Sequence, residues 1–106
     1  MPKKLNKARL DAMVEEATVD GHDVSEQVSG LFTMIEENLK LPFETQVLGT
    51  PVTVERVDLN GRDEIVAVCR RGKYRQTIPI LHLPLPMPAP PGAQWIGAYL
   101  HWAGGS

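Results

Sequence analysis

The chain is short of cysteine and of long apolar runs, and both shortages restrict what it can be. A single cysteine, Cys69, occurs among 106 residues, so no disulfide can form within the chain and a cytoplasmic location is expected. No apolar run approaches the roughly 20 residues that a membrane-spanning helix needs, so we expect no membrane association. The basic start of the chain leads into no apolar segment of the kind that signal peptides contain.

Residues with catalytic signatures are also missing. The sequence has no glycine-rich phosphate loop and no serine–histidine–aspartate signature, so we expect that the protein is not an enzyme. The three histidines (His22, His82 and His101) are scattered and lie far along the chain from Cys69, which is not the clustered spacing of a zinc site. Cys69 ends the apolar run Val66–Cys69 and is predicted to be a small buried residue.

The third shortage is of positive charge between residues 11 and 39. This segment has no lysine or arginine, yet it holds eight acidic residues, namely Asp11, Glu15, Glu16, Asp20, Asp23, Glu26, Glu36 and Glu37. Their mutual repulsion costs stability unless a bound cation, or basic groups elsewhere in the chain or on a partner, relieve it. The net charge of −2 argues against general affinity for nucleic acid or anionic membranes.

The length predicts one domain, residues 1–106, that begins with a helical hairpin over residues 5–40. An apolar stripe at helical spacing predicts the first helix over residues 5–18, and Gly21 lies in the turn that follows. The second helix is predicted over residues 24–40. Asp23 is its expected N-cap, Glu26 completes a capping-box pattern, and Pro42 is expected to end the helix.

From residue 43 the apolar period becomes that of strands, and residues 43–82 are predicted to form a β-meander. The expected strands are Phe43–Leu48, Val52–Leu59, Glu64–Arg70 and Tyr74–Ile80, with turns at residues 49–51, 60–63 and 71–73. Four short strands joined by tight turns predict an open antiparallel sheet or a small SH3-like barrel. The fold class is therefore α+β.

Two further segments complete the chain. Residues 84–91 hold five prolines and are predicted to be an extended connector. Leu83, Leu85 and Met87 alternate with the prolines and are expected to lie against the body of the protein; a ligand for SH3 or WW domains is the alternative. Residues 92–103 are predicted to form a short C-terminal helix. Its aromatic face, with Trp95, Tyr99 and Trp102, is expected to close one side of the core.

Part of the acidic segment has the chemistry of a calcium site. Asp20, Asp23 and Glu26 are spaced three residues apart, and Glu16 lies one helical turn before Asp20. Ca²⁺ takes roughly six to eight oxygen ligands, and this segment supplies hard oxygens close together. The spacing is not that of an EF-hand loop. The alternative is a solvated helix face in which Asp23 and Glu26 only cap a helix.

A basic hairpin is the second candidate. Arg70, Arg71, Lys73 and Arg75 surround the third turn, with Tyr74 among them. Such a hairpin can contact nucleic acid or a protein. Its charges can also merely keep strand edges soluble, or it can face the acidic helices.

Taken in order, several short segments resemble the small bacterial calcium-binding proteins of the CcbP type. They are Glu15–Asp20, Glu26–Gln27, Glu36–Leu39 with Leu41–Phe43, Ala67–Gly72, Ile78–Leu81, and Trp95–Tyr99 with His101–Trp102. The resemblance covers about Ala8 to Trp102 and implies Ca²⁺ binding outside any EF-hand, for buffering or sensing cytosolic Ca²⁺.

The candidate ligands are Glu16, Asp20, Asp23, Glu26 and Glu37, with water in the remaining positions. The run Gly21–Val24 departs from the family pattern, which has an aromatic residue and more acid there, and this implies modest affinity. The sequence identifies no protein partner.

Overall fold

The structure is a computed structural model that describes residues 6–104. Its elements are α1 (Lys7–Thr18), α2 (Val24–Asn38), β1 (Phe43–Val47), β2 (Thr50–Leu59), β3 (Ile65–Arg71), β4 (Tyr74–Pro79), a 3₁₀ turn (Ile80–His82) and α3 (Gln94–Trp102). The predicted α+β class, with a helical hairpin, a four-stranded sheet and a short last helix, is confirmed. The predicted helix start at residue 5 lies outside the described residues.

The first helix follows the predicted apolar stripe. Asn6 is its N-cap, since the Asn6 side-chain oxygen accepts a hydrogen bond from the backbone N–H of Arg9 at 2.8 Å. Met13 is buried in the core, and the other stripe residues, Leu10, Val14 and Ala17, are partly buried against it. Packing of this stripe, rather than intrinsic propensity, provides most of the stability of so short a helix.

The second helix begins as predicted and ends earlier than predicted. The Asp23 carboxylate accepts from the Glu26 N–H at 2.8 Å, which makes Asp23 the N-cap. Val28, Leu31 and Ile35 form the buried stripe. The helix ends at Asn38, two residues before the predicted end at about residue 40, and Leu39 is its extended C-cap. The end therefore comes before Pro42 can determine it.

Contacts with the proline-rich connector explain this early end. The backbone N–H of Lys40 donates to the carbonyl of Pro91 at 2.9 Å instead of continuing the helix. Gly92 has φ +89°, and a Cβ at this position would collide with the carbonyl of Asn38. The connector therefore packs directly on the end of α2, which is a tertiary contact that periodicity along the chain does not contain.

The sheet is an open meander in the order β1-β2-β3-β4, with every neighbouring pair antiparallel. Because β1 does not pair with β4 in the described sheet, the barrel alternative is wrong. The first turn is also shorter than predicted. Val47 pairs with Thr50, so Leu48 and Gly49 form a two-residue turn and Pro51 belongs to β2.

A β-bulge at Glu55 keeps one face of β2 apolar along its length. The register shifts between Val54 and Arg56, so one extra residue stands opposite β3. Val54 pairs with Cys69 and Val57 with Ala67, which places apolar side chains from both sides of the bulge on the same face. Without the bulge, residues after position 55 would present the opposite set of side chains to the core.

Two apolar clusters lie along this face. The larger one joins the three helices to Val57, Ile65 and Ile80. The smaller one contains Val52, Val54, Ala67, Cys69 and Leu83, with Leu85 packed against it. The helices thus cover one end of the sheet, while Leu83 and Leu85 cover the other, as predicted. The same prediction is wrong for Met87, which is 81 % exposed.

The C-terminal helix closes the core as predicted. Trp95, Ile96 and Tyr99 are buried. Tyr99 stacks on Trp102 with ring centroids 6.1 Å apart. The indole N–H of Trp102 donates to the side-chain oxygen of Gln27 at 3.0 Å, which ties α3 to α2.

Candidate calcium site and hairpin end

The two N-terminal helices come into close contact where Gly30 meets Ala17. A Cβ at position 30 would collide with the carbonyl oxygen of Ala17, so only glycine permits this approach. The contact brings the last turn of α1 beside the first turns of α2. Acidic residues that are ten positions apart in sequence are thereby placed around one concavity.

Three of the five predicted ligands line this concavity, which we call the helix-pair hollow. It has a volume of about 450 Å³ and is lined by Glu16, Asp20 and Glu26. Ser25, Ser29 and Thr33 line it as well. All three carboxylate residues are exposed, so their side chains have freedom to reorient. The donors are all hard oxygens, which is the chemistry that Ca²⁺ prefers.

The other two predicted ligands have different positions. Asp23 is not on the wall of the helix-pair hollow, and one of its oxygens is held by the N-cap hydrogen bond. Glu37 follows Glu26 by eleven residues on the same helix, which separates them by about 16 Å along the axis. The structure therefore does not bring Glu37 together with Glu16, Asp20 and Glu26.

Glu26 also takes part in the local hydrogen bonding of the turn. Its carboxylate accepts from the backbone N–H of His22 at 3.1 Å. This is a capping-box arrangement that reaches one residue further back than usual. One carboxylate oxygen of Asp23 and one of Glu26 therefore accept hydrogen bonds at the start of α2, as the capping alternative predicts. The second oxygen of each carboxylate is left for other partners.

As the side chains stand, the hollow is not a preformed metal site. Within residues 6–104, no group of three or more His, Cys, Asp or Glu side chains has an arrangement that could hold a metal ion. The donor chemistry fits Ca²⁺, but the carboxylates would have to rotate inward to meet one ion.

The acidic segment receives little compensation from basic groups. Among the described residues its one ion-pairing contact joins Asp11 to His101, with 2.6 Å between the carboxylate oxygen and Nε2. This pair carries opposite charges only when His101 is protonated. It also lies at α3, away from the α1–α2 turn. The carboxylates around the helix-pair hollow therefore have no cationic partner in the described part of the chain.

The basic hairpin, by contrast, carries its own counter-charge. Arg70 and Arg75 stand opposite each other on β3 and β4, and the bulged Glu55 binds both, at 2.7 and 2.8 Å. Hydrogen bonds from Arg75 and then Arg70 lower the pKa of the Glu55 carboxyl, and the carboxylate in turn raises the pKa of Arg75. Of the four basic residues of this hairpin, Arg71 and Lys73 have no ion pair among the residues described.

The hairpin does not face the acidic helices, so that expectation is wrong. In a meander the β1–β2 and β3–β4 turns share one end of the sheet, and the β2–β3 loop lies at the other. The Ser25 hydroxyl donates to Asp63 of that loop at 3.1 Å. The α1–α2 turn is therefore at the opposite end from the basic tip, about 30 Å away along a ten-residue strand.

A second concavity, which was not predicted from the sequence, lies at the end of the sheet that carries the β1–β2 and β3–β4 turns. We call this end the hairpin end. The concavity has a volume of about 300 Å³ and is lined by Val47, Leu48, Thr50, Val52, Cys69, Arg71, Tyr74, Arg75 and Gln76. We call it the hairpin hollow. Cys69 forms part of its lining although the residue is almost fully buried, as predicted, and burial raises the pKa of its thiol. No signal in the sequence pointed to this hollow, because the two-residue turn at Leu48 and Gly49 is seen only in the strand register.

Comparisons of the chain with protein-family models, curated proteins and solved structures gave no match. No helix in residues 6–104 is long and apolar enough to cross a membrane.

Proposed function

We propose that the protein binds Ca²⁺ in the helix-pair hollow, as a non-enzymatic buffer or sensor in the cytoplasm. The observation that carries the proposal is the convergence of Glu16, Asp20 and Glu26 on one concavity in a segment without neutralising cations. The order of short motifs that resembles the CcbP-type proteins supports the same function.

Binding would proceed by inward rotation of exposed side chains. Glu16 and Asp20 approach from α1 and the turn after it, and Glu26 approaches with the oxygen that His22 does not occupy. Water supplies the remaining positions that an ion with six to eight ligands requires. Ordering these side chains costs conformational entropy, so we expect a dissociation constant of about 0.1–1 mM, at the weak end of protein Ca²⁺ sites.

Ca²⁺ should bind better than Mg²⁺. A pair of helices joined by an exposed turn can adjust to the irregular coordination that Ca²⁺ accepts. Mg²⁺ requires near-octahedral geometry and gives up its water reluctantly. This selectivity separates a coordination site from a diffuse negative surface, which would attract both ions alike.

The test is a Ca²⁺ titration followed by amide NMR shifts, with thermal melting in parallel. We expect shifts concentrated in residues 16–33 and, at about a tenfold excess over the dissociation constant, a stabilisation of about 1.4 kcal/mol. Asp20→Asn should weaken binding while leaving the metal-free protein equally or more stable. Glu37→Gln, which removes one charge from the same helix outside the hollow, is the matched control and should bind like the wild type.

Three outcomes would contradict the proposal. The first is that no amide shifts appear at millimolar Ca²⁺. The second is that Mg²⁺, or sodium at equal ionic strength, produces the same shifts. The third is that Asp20→Asn binds Ca²⁺ as well as the wild type. A loss of binding in Glu37→Gln would instead return Glu37 to the ligand set that the sequence predicted.

A further inference from the structure

The hairpin end carries exposed apolar side chains that the fold does not need. Leu48 is fully exposed, and Tyr74 is 70 % exposed on the neighbouring hairpin. Both line the hairpin hollow, whose floor reaches the apolar face of the sheet at Val52 and Cys69. Arg71 also lines the hollow, and Lys73 follows it in the same turn. Both are exposed and lack ion pairs among the residues described.

The backbone at Leu48 makes its exposure harder to explain by folding alone. Leu48 has φ +52° and Gly49 has φ +77°, the signs that a type I′ turn requires. Asparagine, aspartate or glycine is usual at the first of these positions, and a branched apolar residue there is strained. The chain thus holds a strained, wholly exposed leucine at the tip of a hairpin, where asparagine would serve the fold better.

The opposite end of the molecule offers the complementary surface. Val19 is 74 % and Val24 63 % exposed, and they flank the α1–α2 turn. Asp20 and Asp23 lie between them in the sequence. This acidic end therefore combines two projecting apolar side chains with unneutralised carboxylates, and the hairpin end combines an apolar hollow with unneutralised cations.

We propose that the acidic end of one copy of this chain docks into the hairpin hollow of a second copy. Val19 and Val24 would cover the exposed surfaces of Leu48 and Tyr74, and Asp20 and Asp23 would meet Arg71 and Lys73. Because two different surfaces come together, the contact is heterologous. In a dimer, one copy still has a free hairpin hollow and the other still has a free acidic end. Association therefore continues beyond a dimer unless a ring closes.

The contact is expected to be weak and salt-dependent. The two hairpin tips and the α1–α2 turn are small, and their contact buries less than the roughly 1,000 Å² of a stable interface. We therefore expect a dissociation constant on the order of 1 mM. The charged pairs are exposed and will be screened as ionic strength rises. The proposal does not depend on Ca²⁺ binding, and chelator is present throughout its test so that the two can fail separately.

The test is sedimentation equilibrium in chelator and low salt, up to about 1 mM protein, the concentration at which so weak a contact becomes populated. For the wild type we expect the weight-average mass to exceed the monomer mass by at least about a third, and to return to the monomer value at high salt. Leu48→Asn relieves the turn and removes the apolar side chain, so it should melt no lower than the wild type and yet remain monomeric. The double variant Val19→Ser, Val24→Ser should also be monomeric.

Mixing the two variants provides the decisive measurement. Leu48→Asn keeps an intact acidic end, and the double valine variant keeps an intact hairpin hollow. Together they should form a 1:1 dimer that grows no further, because the remaining surfaces are both blocked. A wild type that is monomeric at every concentration would overturn the proposal, as would association that survives Leu48→Asn or a mixture that stays monomeric.

Discussion

The two ends of the molecule both concentrate like charges, and the fold treats them in opposite ways. At the hairpin end, the bulge in β2 places Glu55 between Arg70 and Arg75, so two of the four basic residues share one carboxylate within the sheet. At the acidic end, no described lysine or arginine reaches Asp20, Asp23 or Glu26. Clustered charge is therefore not in itself a binding site, and what distinguishes the acidic end is that none of these three carboxylates has a cationic partner among the described residues.

The unpaired carboxylates of the acidic end cost the fold little. Its carboxylates are exposed, so water screens their repulsion and the cost to folding is small. Two of them contribute to the fold through the cap of α2. An acidic surface that also caps a helix can be retained at little cost, and it is available for a cation or for a basic surface.

The largest expected effect comes from separating the two helices that build the acidic end. Gly30→Ala places a methyl group against the carbonyl of Ala17, and overpacking of this kind costs about 2–3 kcal/mol. Urea unfolding measures the loss, and Ca²⁺ titration of the folded fraction should show weaker binding because Glu16 moves away from Glu26. Gly61→Ala is the control, since nothing lies within 4 Å of a Cβ there, and its stability should be unchanged.

A smaller loss of stability is expected from changing Asp23, and it distinguishes the capping role of this residue from a role in ion binding. Asp23→Ala removes the N-cap of α2 and should cost about 1 kcal/mol, whereas Asp23→Asn keeps a competent cap and should cost little. Asp20→Ala is matched in charge and exposure but makes no capping bond, so it should not destabilise the metal-free protein. Equal losses in Asp20→Ala and Asp23→Ala, measured by thermal melting, would show that charge rather than capping governs stability here.

The smallest effect concerns the ion pairs of Glu55 at the hairpin end and depends on pH. The pKa of Glu55 is lowered from the usual 4.5, so its contribution to stability is complete above that pH and is lost as the pH falls through the lowered value. Melting temperatures of the wild type and Glu55→Gln should differ by a constant amount from about pH 8 to about pH 6. The difference should start to shrink near about pH 4.5 and vanish only below the lowered pKa of Glu55. Glu44→Gln is the control in the neighbouring strand, and its difference from the wild type should not follow this pattern. A gap between the wild type and Glu55→Gln that stays constant to low pH would rule out the carboxylate as its source.

Local sequence signals accounted for much of the fold. The stripe around Met13, the cap at Asp23 and the β-branched runs of the sheet each depend on neighbours within a few residues, so one stretch of sequence was enough to predict them. The end of α2 was misplaced because Pro91 and Gly92, more than fifty residues away, decide it. The turn at Leu48 was misplaced because leucine is not expected where both turn residues need positive φ.

The sequence by itself determined that carboxylates cluster between residues 11 and 39, because composition is local information. Only the tertiary structure decided which of them share a concavity, since the contact of Gly30 with Ala17 brings Glu16 and Asp20 to Glu26 and leaves Glu37 at the far end of the helix. Only the sheet topology separated the acidic turn from the basic tip. The physical reason is that spacing along a helix determines which side chains share one of its faces. Which faces lie against each other is determined by contacts between elements that are distant in the sequence.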